Sequence, residues 1–587
     1  MNFITNWKKL FVKQLAFVAL LLPVVVSPAG GQVELRYEQN ETLSWKEAIS
    51  MYGWLDEQYG EARLVEAGMS DAGKPLHLFI ISKDQLFSGA EARLAGKTIL
   101  FINNGIHPGE PCGVDASLKL ASELLSGTDS YAEFLENTVV VIVPIFNIGG
   151  ALNRGKYHRA NQNGPVEHGF RGNARNLDLN RDFIKLDSRN TQSLTSVLRE
   201  WKPDLFVDTH TSNGADYPYV ITLINSHEQR HQPSQAEFLE KEVKPFLFEA
   251  MKATPYEMSP YIWSYNKTPD NGIIAFLDYP RYTSGYNSLY NTISFTVETH
   301  MFKPFRDRVL STWYLLREML KFSSTFQDEI ISAKERAWKE KMACRNFVLQ
   351  WQLDTSRYEM IPFKGYAAKT KTSKVSGHDR LWYDRSETWE KQIPYYRFFK
   401  AHSSASVPEN YILPFAWSEV SERLQLNDVE MSALERDTVI EVEVSYIESY
   451  ETSDRPYNGH YRHHSVSLRK VRQEIRFYAG DWIIPTRQEA IEYLVQTLEP
   501  QGYDSFFSWN FFDEILFRNE YFSPYIFEET AEKLLETDQV LAREFKVKQG
   551  SDSAFAANPY LQLRYIYERS PWSEATYMRY PVYRSVQ

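Results

Sequence analysis

The run Thr138-Val-Val-Val-Ile-Val-Pro-Ile-Phe146 is nearly all apolar and β-branched. A strand without a polar face cannot lie against solvent, so this run predicts a central parallel strand buried on both faces. Shorter runs of the same kind recur at Thr98–Ile102, Asp204–Asp208 and Ile293–Val297. Between and after them lie segments with apolar residues at helical intervals. These are Val114–Leu125, Ser188–Trp201, Ala236–Ala253 with Pro245 expected to kink it, and the long amphipathic stretch Thr312–Glu340. Upstream, Thr42–Tyr59 reads as a helix capped by Thr42 or Ser44 with Glu47 in its first turn. Arg63–Ala67 and Leu76–Ser82 alternate as strands. Strands alternating with helices in this way predict an α/β fold on a mostly parallel or mixed sheet.

Open α/β sheets bind ligands beyond the carboxyl ends of their strands, and three of those ends carry reactive side chains. Thr98–Ile102 is followed by His107-Pro-Gly-Glu110, in which Pro108 and Gly109 favour a tight turn. Asp204–Asp208 runs into Thr209-His210-Thr211, and Ile293–Val297 into Glu298-Thr-His300. His107, Glu110 and His210 form a two-histidine, one-carboxylate donor set suited to a catalytic zinc with one open position. Asp208, two residues before His210 and on the same strand face, is placed to orient an imidazole. Cys112 reads as a small buried residue at the start of a helix, because Glu110 already supplies a ligand there.

Residues 153–176 form a long polar segment with little periodicity, of the kind that often carries function. It leads into Arg171-Gly-Asn-Ala-Arg-Asn-Leu-Asp-Leu-Asn-Arg-Asp-Phe183. Several guanidiniums beside asparagines suit capture of a carboxylate, since arginine binds that group bidentately. His158, His168 and the Arg462-His-His464 cluster read as hydrogen-bonded or solvated residues, and His300, two beyond Glu298, as a supporting one.

A chain of 587 residues is too long for one ordinary core, so two or three domains are expected. The net charge of −11 excludes a basic surface for nucleic acid. Lys8, Lys9 and Lys13, the apolar run Leu15–Val26 and the small residues Ser27-Pro-Ala-Gly-Gly31 read as an export leader over residues 1–31, too short for a membrane span. No later stretch is long and apolar enough to cross a bilayer. Two cysteines, Cys112 and Cys344, do not make a disulfide scaffold for an exported protein, and their pairing is open. Past about residue 345 the pattern changes. Asp437–Ile447 and Ser465–Phe477 alternate as strands, and Arg487–Thr497 and Phe527–Leu541 are helical in pattern.

Taken together, His107-Pro-Gly-Glu110, Arg171, Leu179-Asn180-Arg181-Asp182, Asp208-Thr-His210-Thr and Val297-Glu298-Thr-His300 resemble, in order and spacing, a zinc carboxypeptidase of the carboxypeptidase A-like family. The resemblance covers roughly residues 40–340, and the length and aromatic motifs beyond it resemble the large exported bacterial members. It implies an α/β fold with a mixed eight-stranded twisted sheet flanked by helices, here followed by an α+β C-terminal region. The implied division is a leader (1–31), a catalytic domain (32–343) and a C-terminal region (344–587). It further implies His107, Glu110 and His210 as the ligands of one zinc and Glu298 as the general base. Arg171 would polarise the scissile carbonyl, with Arg175 as the weaker candidate. Asn180 and Arg181 would grip the substrate's terminal carboxylate, and Tyr286, with Tyr282 as the alternative, would close over it. The expected partner is a peptide with a free C-terminus, without nucleic acid or membrane span, in the periplasm or outside the cell. Cleavage of cell-wall peptides, amide deacylation on the same fold, and a non-catalytic binding protein with a degenerate site are the alternatives.

Overall fold

In the computed structural model, which describes residues 33–586, the run at Thr138 forms a strand, Thr138–Val143, in which every residue is buried. The leader read at residues 1–31 lies outside the described residues. This strand belongs to an eight-stranded sheet of β1 (Ala62–Met69), β2 (Pro75–Ile81), β3 (Thr98–Asn103), β4 (Thr138–Val143), β5 (Leu205–Ser212), β6 (Ile221–Asn225), β7 (Met258–Pro260) and β8 (Ile293–His300). Their spatial order is β1-β2-β4-β3-β5-β8-β6-β7. The four central strands β4, β3, β5 and β8 are mutually parallel, and antiparallel pairings at β2 and β6 make the sheet mixed.

The register of the central strands matters more than their number. Asn103 on β3 stands beside Asp208 on β5, and His210 on β5 beside Glu298 on β8. Because side chains alternate with a period of two, a one-residue slip would turn His210 or Glu298 to the other face. The largely apolar, buried bodies of these strands hold that register by burial on both sides.

The longer helices that flank the sheet are α1 (Trp45–Gln58), α2 (Cys112–Ser126), α3 (Arg189–Trp201), α4 (Phe305–Thr325) and α5 (Gln327–Ala343). Ser44 caps α1 through a capping box with Glu47, whereas Thr42 donates its hydroxyl to Asp115 on α2. The start of α2 lies directly on β5, so close that a Cβ on Gly113 would fall 1.9 Å from Thr209 Oγ1. Only glycine permits this approach, and it carries His107 and Glu110 up to His210. The helix expected over Ala236–Ala253 begins at Pro233 and passes through a π-helical stretch, Leu239–Val243, before Pro245 enters the first turn of Lys244–Lys252.

The single helix expected over Thr312–Glu340 is two helices. Phe326 leaves helical geometry (φ −107°, ψ 30°) to stack on Phe322 at 4.6 Å, and its N–H closes the end of α4. Likewise, the helix expected over Phe527–Leu541 is split at Asp538, whose carboxylate caps the second piece, Gln539–Ser551. The helix expected from Arg487 begins at Ile491.

Beyond α5 the chain forms two long antiparallel hairpins, β9 (Glu359–Thr372) with β10 (Asp379–Tyr396) and β11 (Thr438–Thr452) with β12 (His463–Phe477). The β9–β10 hairpin was not read from the sequence. The apolar core crosses residue 343. One cluster joins Phe101, Val141, Phe183 and Tyr286 of the first half to Tyr411, Tyr493, Phe506 and Trp509 of the second. Among the described residues no helix is long and apolar enough to cross a membrane.

Candidate metal centre and substrate cleft

Beyond β3 the chain turns sharply. Glu110 N–H donates to His107 C=O at 2.8 Å, so Pro108 and Gly109 form the tip of a tight turn that points both side chains the same way. His107 Nδ1 lies 3.1 Å from His210 Nδ1 and 3.5 Å from Glu110 Oε1, and Glu110 Oε2 lies 3.1 Å from His210 Nδ1. One donor atom from each residue falls within 4.8 Å of the others, and all three residues are buried.

Both imidazoles are held from behind by carboxylates. His107 Nε2 bonds Asp178 Oδ1 at 2.9 Å, and Asp208 Oδ2 lies 3.1 Å from His210 Nε2. A carboxylate behind Nε2 keeps the proton there and leaves the Nδ1 lone pair facing inward. Asp208 is itself fixed by Asn103 Nδ2 (3.1 Å) and by the Thr283 hydroxyl.

Two inward lone pairs and a carboxylate at these distances repel one another unless a positive charge sits among them. Burial alone would make His210 harder to protonate, yet Asp208 and Glu110 raise its pKa well above the usual imidazole value. Burial alone would raise the Glu110 carboxyl, yet Arg159 and the two histidines hold it well below the usual range. The donor set of two imidazoles and one carboxylate fits a cation such as zinc. Glu298 lies beside His210, with Oε2 buried and without a hydrogen-bond partner. Burial pushes its carboxyl up to about 7 against the opposing pull of His210.

These residues open onto a cleft of about 550 Å³. Asn180 lines it, its Oδ1 occupied by Thr283 N–H at 3.1 Å, which leaves its NH2 group for a ligand. Arg181 donates Nη1 to Asn180 C=O (2.6 Å) and Nε to the Tyr457 hydroxyl (2.7 Å), and lies 4.5 Å over the Tyr282 ring. Arg171 Nε donates to Asp178 Oδ2 at 3.0 Å, and its Nη1 reaches Glu110 Oε1 at 3.3 Å.

The structure thus gathers His107, Glu110, His210, Glu298, Arg171, Asn180, Arg181 and Tyr282 around one cavity. Tyr286 is not among them. It lies on the inner face of the short helix Thr283–Ser288, fully buried against Phe183, with its hydroxyl on Asn427 Oδ1 at 2.8 Å. Tyr282, just before that helix, faces the cleft instead. Arg175 is also outside, donating Nη1 to Asp187 C=O at 2.5 Å. His300 is buried one strand turn beyond Glu298 and bonds Ala215 C=O at 2.8 Å, not a site residue. Cys112 packs against Thr299 at 3.3 Å, and both cysteines are free thiols.

Three cleft or supporting residues escaped the sequence reading. Arg159 donates Nη1 to Glu110 Oε1 and Nη2 to Thr211 C=O at 2.8 Å, from a loop whose sequence carries no periodic signal. Tyr261 lines the cleft from an irregular segment. Asp178 had a usable signal. Its Oδ1 accepts Asn180 N–H at 3.0 Å, the local turn that an Asp two residues before an Asn favours.

The family model described as Zinc carboxypeptidase matches residues 51–219. "Carboxypeptidase 2" of Trichophyton tonsurans is 22% identical over 455 residues, covering 75% of this chain and 78% of that protein. "Carboxypeptidase 2" of Trichophyton rubrum is 21% identical over 460 residues, covering 76% and 79% respectively. A metallo-carboxypeptidase structure from Burkholderia cenocepacia is 20% identical with a TM-score of 0.37, covering 48% of this chain and 70% of that one. The matched segment contains His107, Glu110, Arg171, Asn180, Arg181 and His210, and over that segment this chain is similar to the zinc carboxypeptidases.

Proposed function

We propose that the protein is an exported, zinc-dependent metallocarboxypeptidase that removes C-terminal residues from peptides. One arrangement carries this reading: the buried donor triad with Glu298 opens into the same cleft as Asn180, Arg181 and Arg171. A peptide held there by its terminal carboxylate brings its last amide bond towards the triad. The names of the fungal relatives support the same activity, and the leader-like residues 1–31 support export.

His107, Glu110 and His210 would hold one zinc per chain, which supplies Lewis acidity and lowers the pKa of a coordinated water towards neutrality. Glu298 takes the proton of the attacking water and returns it to the departing amine. Its unpartnered Oε2 leaves that oxygen free for the exchange. Arg171 stabilises the charge that develops on the carbonyl oxygen. Asn180 and Arg181 bind the terminal carboxylate through the amide NH2 and the guanidinium N–H groups still free. Tyr282 orients the Arg181 plane from beneath. Ile224, Phe276, Ser284 and Thr296 form an uncharged part of the wall, which favours a neutral C-terminal side chain.

The test is incubation with a peptide library read by mass spectrometry. Single-residue shortening, abolished by a chelator and restored by zinc, is the expected result. Intact peptides from the zinc-loaded protein would contradict it. For export, N-terminal sequencing of protein recovered outside the cytoplasm should find a start close to Gly31.

A further inference from the structure

The hairpin β11–β12 ends in a turn, Tyr457-Asn-Gly-His460, closed by Tyr457 N–H donating to His460 C=O at 2.8 Å. Asn458 and Gly459 both have positive φ (52° and 92°), as a tight two-residue hairpin turn of the Asn-Gly kind requires. This tip lies against the loop that carries the carboxylate-binding pair. Asn458 Oδ1 accepts Asp178 N–H at 2.8 Å while its Nδ2 donates to Asp178 C=O at 3.1 Å, a two-point hold on the backbone of one residue. Tyr457 Oη accepts Arg181 Nε–H at 2.7 Å. The turn is anchored in its own half: Tyr457 lies parallel to Trp509 at 6.1 Å, and His460 Nδ1 bonds Trp509 C=O at 2.8 Å.

Resting on the reading above, we propose that Tyr457 and Asn458 are positioning residues for recognition of the substrate carboxylate. With Nε committed to Tyr457 and one Nη1 hydrogen to Asn180 C=O, the guanidinium is fixed in plane above Tyr282. The remaining N–H groups face the cleft before substrate arrives, so their ordering cost is met in folding rather than in binding. Asn458 holds the backbone of Asp178, whose side chain bonds His107, Arg171 and the backbone N–H of Asn180. The C-terminal half thereby becomes part of substrate recognition, although neither residue touches the substrate.

The test uses full-length, zinc-loaded protein, with N-acetylphenylalanine and its carboxamide as competitive probes alongside peptide kinetics. Wild type should bind the acid more tightly than the amide. Tyr457→Phe keeps the ring on Trp509 and removes only the acceptor. It should raise KM about 3- to 10-fold with kcat retained, and reduce the acid-over-amide preference by the same factor. Asn458→Gly keeps the positive-φ turn and should act in the same direction. Added to Arg181→Ala, Tyr457→Phe should have no further effect, because the group it positions is gone. If Arg181→Ala lowers the preference but Tyr457→Phe leaves KM and preference unchanged, or the two losses multiply, the positioning role is wrong while the binding pair stands. If Arg181→Ala itself leaves the preference intact, the assignment of the pair fails first and this inference with it.

Discussion

His107, Glu110, His210 and Glu298 sit at the ends of three neighbouring parallel strands, whereas Arg171, Asn180, Arg181 and Tyr282 come from irregular loops. The first group is positioned by sheet register, which the buried bodies of β3, β5 and β8 enforce. The second is positioned by hydrogen bonds between loops distant in sequence, including a turn nearly three hundred residues away. Failure should therefore look different in the two regions. Damage at strand ends removes chemistry, and damage in the loops weakens recognition.

The largest expected effect is at Glu298. Glu298→Gln should lower kcat by about 10²- to 10⁴-fold with KM little changed. The base works only as a carboxylate, so kcat/KM of wild type should climb as pH rises through the Glu298 pKa. Burial, opposed by His210 and the nearby arginines, sets that value at about 7, and a cation held by the triad would pull it lower, so the acid limb should lie below pH 7. The limb should be absent from the residual activity of the variant. A Glu298→Gln protein with wild-type kcat would break the contrast between the regions.

Next is the loop side. Arg181→Ala should cost about 10²- to 10³-fold in kcat/KM, as expected for removing one partner of a buried charge pair. Steady-state kinetics on peptides with free C-termini would check it, and a loss confined to kcat would show that Arg181 belongs with the chemistry instead. Smaller again, Asp208→Asn and Asp178→Asn should each weaken zinc binding about 10- to 100-fold, measured by competition with a chelator. Asp208 stands on a strand and Asp178 in a loop, yet both back an imidazole. A loss from only one of them would show which region controls the metal.

The smallest effect separates the two tyrosines. Tyr286→Phe removes the shorter of two donors to the buried Asn427 Oδ1 and should lower stability by about 1–3 kcal/mol in denaturant unfolding, without changing kinetics. Tyr282→Phe, at the cleft, should change KM a few-fold and leave stability close to wild type. The reverse pattern would put Tyr286 back in the cleft.

The same contrast explains what could be read from the chain. Thr138–Val143 and the apolar start of Leu205–Ser212 announce themselves because burial on both faces favours apolar runs, and a reactive residue at the end of such a run has few places to go. The triad and Glu298 were legible for that reason. Arg159 was not, since nothing local in residues 153–176 says which arginine folds back onto Glu110. Tyr282 and Tyr286 were indistinguishable because the phase of a six-residue helix, Thr283–Ser288, is set by what it packs against. The break at Phe326 was hidden by an amphipathic pattern that runs through it, and was decided by aromatic stacking on Phe322. Asn458-Gly459 carried a clear hairpin signal between two alternating segments, but only tertiary structure brings that turn to Asp178.

The most direct single measurement is the zinc content of purified protein and of His210→Ala after equilibration with zinc and removal of loosely bound ion. One zinc per chain in the wild type and essentially none in the variant is the predicted result. Equal zinc in both proteins, or none in the wild type, would contradict a metal site built from His107, Glu110 and His210.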